Sequence, residues 1–467
     1  MKEYLGQRLI REKVIDEQQL DEALERQKLR GGRLGTNLVA LHHIAPDDLE
    51  RFLKRHPYTP KGVTETGLEL SFITDLVMKH ILLIGEFNLK DLAVRIKLPI
   101  AIIDHAVQIL RKDRFIEVKG AGGFMRESFN FNITEKGRHR GQDLLELNRY
   151  VGPAPVPLED YRSIVELQTI KHIYVSERRI ADAFSHLVIS DTLRRLGPAV
   201  SSGRAIFLYG PPGNGKTTIA DTIGNVLPGA VCIPYSILVG SEVITVFDPV
   251  THIPVKEEGE KDNLDQRWVN IKRPVVMTGG ELTIKMLDLN FNPVTKFYEA
   301  PLQMKANNGV FIVDDFGRQQ ISPENLLNRW IVPLERGEDF LTLHTGMKFE
   351  IPFDQLVIFA TNIEPGRLVD EAFLRRIRYK IQINHPTEQE YEEIFRRVCA
   401  ANGIDFRVEV FDHLMSHFYR RLRVRLNACH PRDIIDHIID SAHYHNRPPE
   451  MTIEGVTEAW ENYFVEM

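Results

Sequence analysis

The residues Gly210-Pro211-Pro212-Gly213-Asn214-Gly215-Lys216-Thr217 fit the pattern G-x-x-x-x-G-K-[ST], and their types suit the holding of an anion. Glycines let successive backbone N–H groups converge on one point, and the N-terminus of a following helix adds partial positive charge. Lys216 can then reach the outer phosphates of a nucleoside triphosphate, and the Thr217 hydroxyl, followed by Thr218, can ligate Mg²⁺. The flanks agree with phosphate binding, since the apolar run 205–209 reads as a strand and 218–223 is compatible with a helix. A Gly/Pro loop carrying a merely solvated lysine would need neither flank. The stretch therefore predicts a site for a nucleoside triphosphate, with ATP and Mg²⁺ as the expected ligands.

Two further apolar runs end in groups that can do chemistry. Val310-Phe311-Ile312-Val313 runs into Asp314-Asp315, and Leu356-Val357-Ile358-Phe359-Ala360-Thr361 runs into Asn362. In an open α/β sheet, a polar residue at such a strand end lies beside the phosphate site. Asp314 is expected to join Thr217 in holding Mg²⁺, Asp315 to polarise the attacking water, and Asn362 to position that water or the γ-phosphate. Downstream, Asp370-Glu371-Ala372-Phe373-Leu374-Arg375-Arg376-Ile377-Arg378 precedes a strand-like Tyr379-Lys380-Ile381-Gln382-Ile383. His430-Pro431-Arg432-Asp433-Ile434 then opens a helix in an all-helical C-terminal segment. These elements predict an α/β P-loop core with a parallel sheet.

In this order, residues 158–467 resemble an AAA+ ATPase. The resemblance implies a large α/β domain over 158–386 and a small helical lid over 387–467. It makes Asn362 the sensor 1 residue, Arg375 or Arg376 the arginine finger that reaches a neighbouring subunit's γ-phosphate, and Arg432 the sensor 2 candidate. A cation supplied in trans couples hydrolysis to assembly, so a ring or open helical homo-oligomer is implied, most often a hexamer in that superfamily. One departure stands out: most members carry Asp-Glu where this chain has Asp314-Asp315. The shorter side chain reaches the lytic water less well, which implies slower hydrolysis. Replication initiators and helicase loaders share the Asp-Asp pair.

Between Lys216 and Asp314 lie 97 residues, more than one helix, strand and helix require. The excess contains two similar hairpin signals. One runs from Val243-Ile244-Thr245-Val246-Phe247 through Asp248-Pro249-Val250-Thr251 to 252–255; the other runs from 282–291 through Asn292-Pro293-Val294-Thr295 to 296–298. Proline after Asx sets the bend in each. The polar stretch 256–265 reads as an exposed loop. A third hairpin, 340–344 with 348–352, precedes Asn362 and resembles the pre-sensor-1 insertion of several AAA+ branches, where hairpins line the pore or substrate face. Arg420, Arg421, Arg423 and Arg425 give the lid a basic run, read as a solvated or inter-subunit face.

The first 56 residues repeat with an offset of 29: Leu5-Gly6 returns as Leu34-Gly35, Leu9-Ile10 as Leu38-Val39, and Ile15, Leu20 and Leu24 as Ile44, Leu49 and Leu53. Each copy predicts a short helix, a turn and a second helix. This resembles the N-terminal domain of type II secretion and pilus assembly ATPases, some of which bind cyclic di-GMP through an Arg-Leu-Gly triplet and a Gln. Here Arg33-Leu34-Gly35 keeps the triplet and Tyr4-Leu5-Gly6 does not, while Gln27 closes the first copy and His56 the second. A protein-docking module is the favoured reading and cyclic di-GMP binding the alternative. Residues 57–67 read as a linker, and 68–146 as a winged helix with helices at 89–96 and 100–112 and wing strands around Gly120-Ala121-Gly122-Gly123. The exposed start of the second helix offers Ala101, Asp104 and His105, poor readers of base edges, so protein contact is favoured over DNA. Gly152, Pro153, Pro155 and Pro157 mark the boundary to the ATPase half.

An apolar fraction of 43%, a charged fraction of 27% and a net charge of −6 fit a globular protein with no global attraction to nucleic acid or anionic membrane. Cys232, Cys399 and Cys429 are far apart and match no metal spacing, which points to a reducing compartment. With no run of 18 apolar residues, membrane insertion is not expected and a cytoplasmic location is. The function these features predict is an oligomeric ATPase that remodels or chaperones a protein client, with a DNA-acting initiator or loader, or a cyclic-dinucleotide-responsive switch, as alternatives.

Overall fold

The computed structural model describes residues 6–464 apart from 7–8, 11–13, 33, 47, 50–56, 122–128, 174, 189, 256–263 and 369–373. Tyr4, Leu5, Arg33, Leu53 and His56 of the repeat, Gly122 and Gly123 of the wing tip, most of the polar loop 256–265, and residues 370–373 lie outside the described residues.

Five strands, β1 (Ile206–Tyr209), β2 (Val275–Thr278), β3 (Val310–Val313), β4 (Leu356–Thr361) and β5 (Tyr379–Gln382), form one parallel sheet in the order β2-β3-β4-β1-β5. Strands β3 and β4 are buried at every position, as their unbroken apolar runs require of strands covered on both faces. Alternate side chains divide between two cores. Ile206, Leu208, Ile312 and Ile358 meet Ile219 and Ile223 of helix α1 (Lys216–Val226). Phe207, Phe311, Val357 and Phe359 meet Leu326 and Trp330 of helix α2 (Pro323–Arg336).

From β1 the chain crosses to the far edge, returns strand by strand to β4 beside β1, and then passes to β5 on the other side. The order thus reverses at β1, and the crevice beyond the carboxyl ends of β1, β3 and β4 is where such a sheet receives a ligand.

Part of the insertion between α1 and β3 joins a second five-stranded sheet, and one expectation is corrected there. The strand Glu242–Thr245 does not pair with 252–255. It pairs antiparallel with Ser236–Val239 through the two-residue turn Gly240-Ser241, where Gly240 has φ 63°. Glycine at that position favours the tight turn over the wider Asp-Pro bend. Residues 253–255 run instead beside Trp268–Lys272, with Lys272 N–H donating to Ile253 O at 2.9 Å and Val255 N–H to Asn270 O at 2.9 Å. The second signal does form a hairpin, Asn290–Asn292 with Phe297–Glu299, although Ile284–Leu287 before it is a 3₁₀ turn. Its return strand lies parallel to Glu242–Thr245, so the second hairpin and the leading strand of the first signal belong to one five-stranded sheet. The third hairpin pairs Glu338–Thr342 with Lys348–Pro352, and its Leu341 and Ile351 share a core with Ile237 and Ile244 of that sheet.

Residues 70–147 form helices Leu70–Ile84, Leu89–Ile96, Ile100–Lys112 and Glu135–Leu147 around a three-stranded sheet. The flanking segments are not loose tethers. Val156–Pro157 adds a strand to the insertion sheet, and Asp265 N–H donates to Pro57 O at 2.9 Å. Arg267, bidentate to Asp265, also donates to Thr66 O at 2.9 Å and Pro155 O at 3.2 Å. Near the N-terminus, Leu9 with Leu38 and Ile15 with Ile44 are buried together, so residues related by the 29-residue offset meet in one core.

Candidate nucleotide site

Gly210 follows β1 with φ 147°, and its Cα lies so close to the end of β5 that an added Cβ would stand 2.0 Å from Ile383 O. Only glycine fits. Gly215 then takes φ 77° and starts α1, whose first residues are Lys216, Thr217 and Thr218. The Lys216 ammonium donates to Gly210 O at 3.0 Å and Pro211 O at 2.8 Å, bridging the mouth of the loop. Burial lowers its pKa, and the nearby Asp315 and Asp314 carboxylates oppose that shift. A buried ammonium gains most when a polyanion arrives.

The Thr217 hydroxyl donates to Asp314 Oδ2 at 2.8 Å, bringing α1 and β3 together across 97 residues of chain. Next to it, Asp315 adopts φ 48°, a left-handed conformation that turns the chain sharply off the strand. Asn362 Nδ2 donates to Asp315 Oδ1 at 3.2 Å. Phe316 N–H donates to Ala360 O at 2.7 Å, and Gln319 Nε2 donates to Asp314 O at 2.7 Å, so the acid pair is pinned from both sides. A hydroxyl beside a carboxylate fits Mg²⁺, which keeps most of its waters and takes one or two protein groups plus phosphate oxygens. Among the described residues no group of three or more His, Cys, Asp or Glu could hold a metal.

A cavity of about 610 Å³ opens here, a volume within the range for small-molecule sites. It brings together the loop, Asp314, Asp315, Asn362 and Arg432. Arg432 enters on helix α4 (His430–Tyr444) of the C-terminal segment. Arg375 and Arg376 are not part of this cavity. Arg375 is exposed, and Arg376 is half-buried and ion-paired with Glu335 of α2.

Sequence reasoning missed the clasp between the loop and the C-terminal helical segment. Asn214 is buried; its Oδ1 accepts the Ala428 N–H at 3.1 Å. Cys429 N–H donates to Gly213 O at 2.9 Å. A Cβ on Gly213, which has φ 75°, would stand 2.7 Å from Cys429 Sγ. From helix α3 (Glu388–Ala401), Arg397 lines the cavity and donates to Ser185 O at 2.8 Å. No local pattern marks Asn214 for this role, because its partner is a backbone N–H more than 200 residues away.

Of the cyclic di-GMP positions, Arg33 lies outside the described residues, and Gln27 donates to Gly32 O at 2.9 Å within its own module. On helix Ile100–Lys112, Gln108 Nε2 donates to Asp104 Oδ2 at 2.6 Å, and Ala101, His105, Arg111 and Lys112 are exposed. No helix among the described residues is long and apolar enough to cross a membrane.

The reversed sheet order, the glycine loop and the acids at the end of β3 define a P-loop α/β fold. Residues 387–462 match a family model described as a domain of unknown function (DUF8689). No curated protein matches the chain. Among solved structures, the RuvB Holliday junction branch migration motor of Thermotoga maritima is similar over 60% of this chain and 69% of its own, at 13% identity and a TM-score of 0.34. NtrX from Brucella abortus is similar over 64% of this chain and 57% of its own, at 12% identity and a TM-score of 0.37.

Proposed function

We propose that the chain is an AAA+ ATPase that binds ATP with Mg²⁺, hydrolyses it as a ring-type homo-oligomer, and uses the cycle to remodel a protein partner. The observation that carries the ATPase reading is the convergence of Lys216, the Thr217–Asp314 contact and the Asn362–Asp315 contact on one cavity. In this scheme the loop N–H groups and Lys216 hold the phosphates, and Thr217 and Asp314 hold Mg²⁺, which neutralises charge on the β- and γ-oxygens. Asp315 accepts the proton of the attacking water, with Asn362 fixing the orientation of that carboxylate. Arg432 reports the nucleotide to the lid. Arg375, exposed and outside the cavity, is the group offered to a neighbouring subunit.

Protein rather than DNA as client is supported by the hairpin Glu338–Thr342/Lys348–Pro352, which presents Phe340 and Met347 to solvent, each about half exposed. The test is light scattering after chromatography on Asp315→Asn, with and without Mg²⁺ and ATP, combined with turnover of the unmodified chain in the presence of duplex DNA. An ATP-dependent rise in mass and turnover indifferent to DNA are expected. Failure to retain ATP overturns the ATPase reading, and strong stimulation by DNA overturns the choice of client.

A further inference from the structure

A second cavity, of about 780 Å³, lies between the N-terminal repeat module and the ATPase core and, among the described residues, shares no lining residue with the nucleotide cavity. Gln27, Gly32 and Leu34 line it from the module, and Lys171, Arg204 and Gln355 from the core. Gln355 is the informative residue. It is 94% buried, directly before β4, yet among the described residues neither its Nε2 nor its Oε1 has a hydrogen-bond partner. Buried amides are ordinarily satisfied on at least one side, and a fully orphaned one that lines a cavity calls for an occupant. The surrounding charge has a sign. Among the described lining residues, Lys171, Arg204 and Arg376 are the cations and Glu335 the acid, so an anion gains from entering. Leu34, Leu334 and Phe353 provide an apolar wall for a ring.

We propose that this cavity binds a purine nucleoside monophosphate, with the donor–acceptor edge of the base paired to the Gln355 amide and the phosphate set against Lys171 and Arg204. A glutamine amide matches such an edge with two parallel hydrogen bonds, and the volume lies within the range of small-ligand sites. The ligand bridges module and core, beside the Arg376–Glu335 pair.

The test uses the full chain carrying Lys216→Ala, which removes phosphate binding at the glycine loop. AMP, GMP and inorganic phosphate are titrated by calorimetry. One equivalent of AMP or GMP is expected to bind, and inorganic phosphate to bind more weakly than either. Adding Gln355→Leu is expected to weaken the purine nucleotide by about 10-fold or more while the melting temperature stays or rises, because an unpaired amide has been removed. Lys171→Glu is expected to weaken it by a similar factor and reads the site even where the Gln355 variant fails to fold. Absence of binding by both AMP and GMP at millimolar concentration overturns the proposal. So does affinity unchanged by Gln355→Leu, or by Lys171→Glu.

Discussion

Asn214 of the glycine loop and Ala428 of the C-terminal helical segment are joined by a side chain to backbone hydrogen bond of 3.1 Å, so the loop proposed to receive phosphate also holds that segment. A neutral hydrogen bond of this kind is worth about 0.5–1.5 kcal/mol net. Asn214→Ala is therefore expected to weaken ATP affinity by roughly 2- to 10-fold. The same variant should speed amide hydrogen exchange around 427–430 in the nucleotide-free chain. Unchanged exchange there would show that the lid is held by other contacts, such as Arg397 to Ser185 O.

Lys216 and Asp315 share a cavity but are expected to fail differently. Lys216→Ala removes a buried cation from the phosphate position, so nucleotide binding itself should be lost by equilibrium titration. Asp315→Asn keeps shape and can still accept the hydrogen bond from Asn362, yet it cannot take a proton. Binding should persist while turnover falls by about 10²–10⁴, the usual contribution of a general base. Normal hydrolysis by Asp315→Asn would remove that residue from the chemistry.

Both cavity-forming strand ends were legible because β3 and β4 are buried on both faces and so read as unbroken apolar runs stopped by Asp314 and Asn362. The repeat was legible for a related reason, since Leu9 and Leu38 serve one core and share one pattern. What escaped was decided by competition or by distance. Asp248-Pro249 is a sound turn signal, but Gly240 offers Glu242–Thr245 a tighter hairpin with the strand before it, and His252 is taken up by Lys305 O at 2.9 Å. Residues 57–67 and 151–157 look like linkers from their proline and glycine content. Arg267 nonetheless anchors both through Thr66 O and Pro155 O, a pairing that no local window contains.

Arg375 and Arg376 adjoin in sequence but differ in surroundings, Arg376 being committed to Glu335 within its own protomer. Arg375→Ala is thus expected to abolish assembly-dependent turnover, a loss of about 10³ or more for an arginine finger. Arg376→Ala should act more weakly and through α2. Mixing each variant with Lys216→Ala subunits separates the two, since a finger variant regains activity at mixed interfaces. Recovery with Arg376→Ala and none with Arg375→Ala would reverse the assignment.

The Arg267–Asp265 pair is nearly inaccessible, with side chains 2% and 3% exposed. Breaking a buried pair from one side leaves an uncompensated charge, at a cost of about 3–5 kcal/mol. Asp265→Ala is expected to lower the melting temperature and to open 57–67 and 150–157 to limited proteolysis, with ATP binding retained. Proteolysis unchanged at both segments would mean that the sheet strand Val156–Pro157 suffices to hold the junction.

His430 is expected to make the stability of the C-terminal helical segment depend on pH. Its Nδ1 lies 2.9 Å from the Tyr419 hydroxyl, which in turn lies 2.6 Å from that of Tyr391, all three side chains being buried. Burial lowers the His430 pKa to about 4, with Asp433 opposing the shift and His385 adding to it. The unfolded chain takes up this proton near pH 6.5 and the folded chain only near pH 4. Between those values the unfolded state binds more protons, so stability falls as pH is lowered through that window and levels off below it. Melting curves of the full chain from pH 7 to pH 4 should show this decline. His430→Gln, which keeps a hydrogen-bond partner for Tyr419 but cannot titrate, should make the decline shallower. Lines of equal slope for the two proteins would assign the pH dependence to other groups, His80 and His252 first, since burial lowers their pKa values as well.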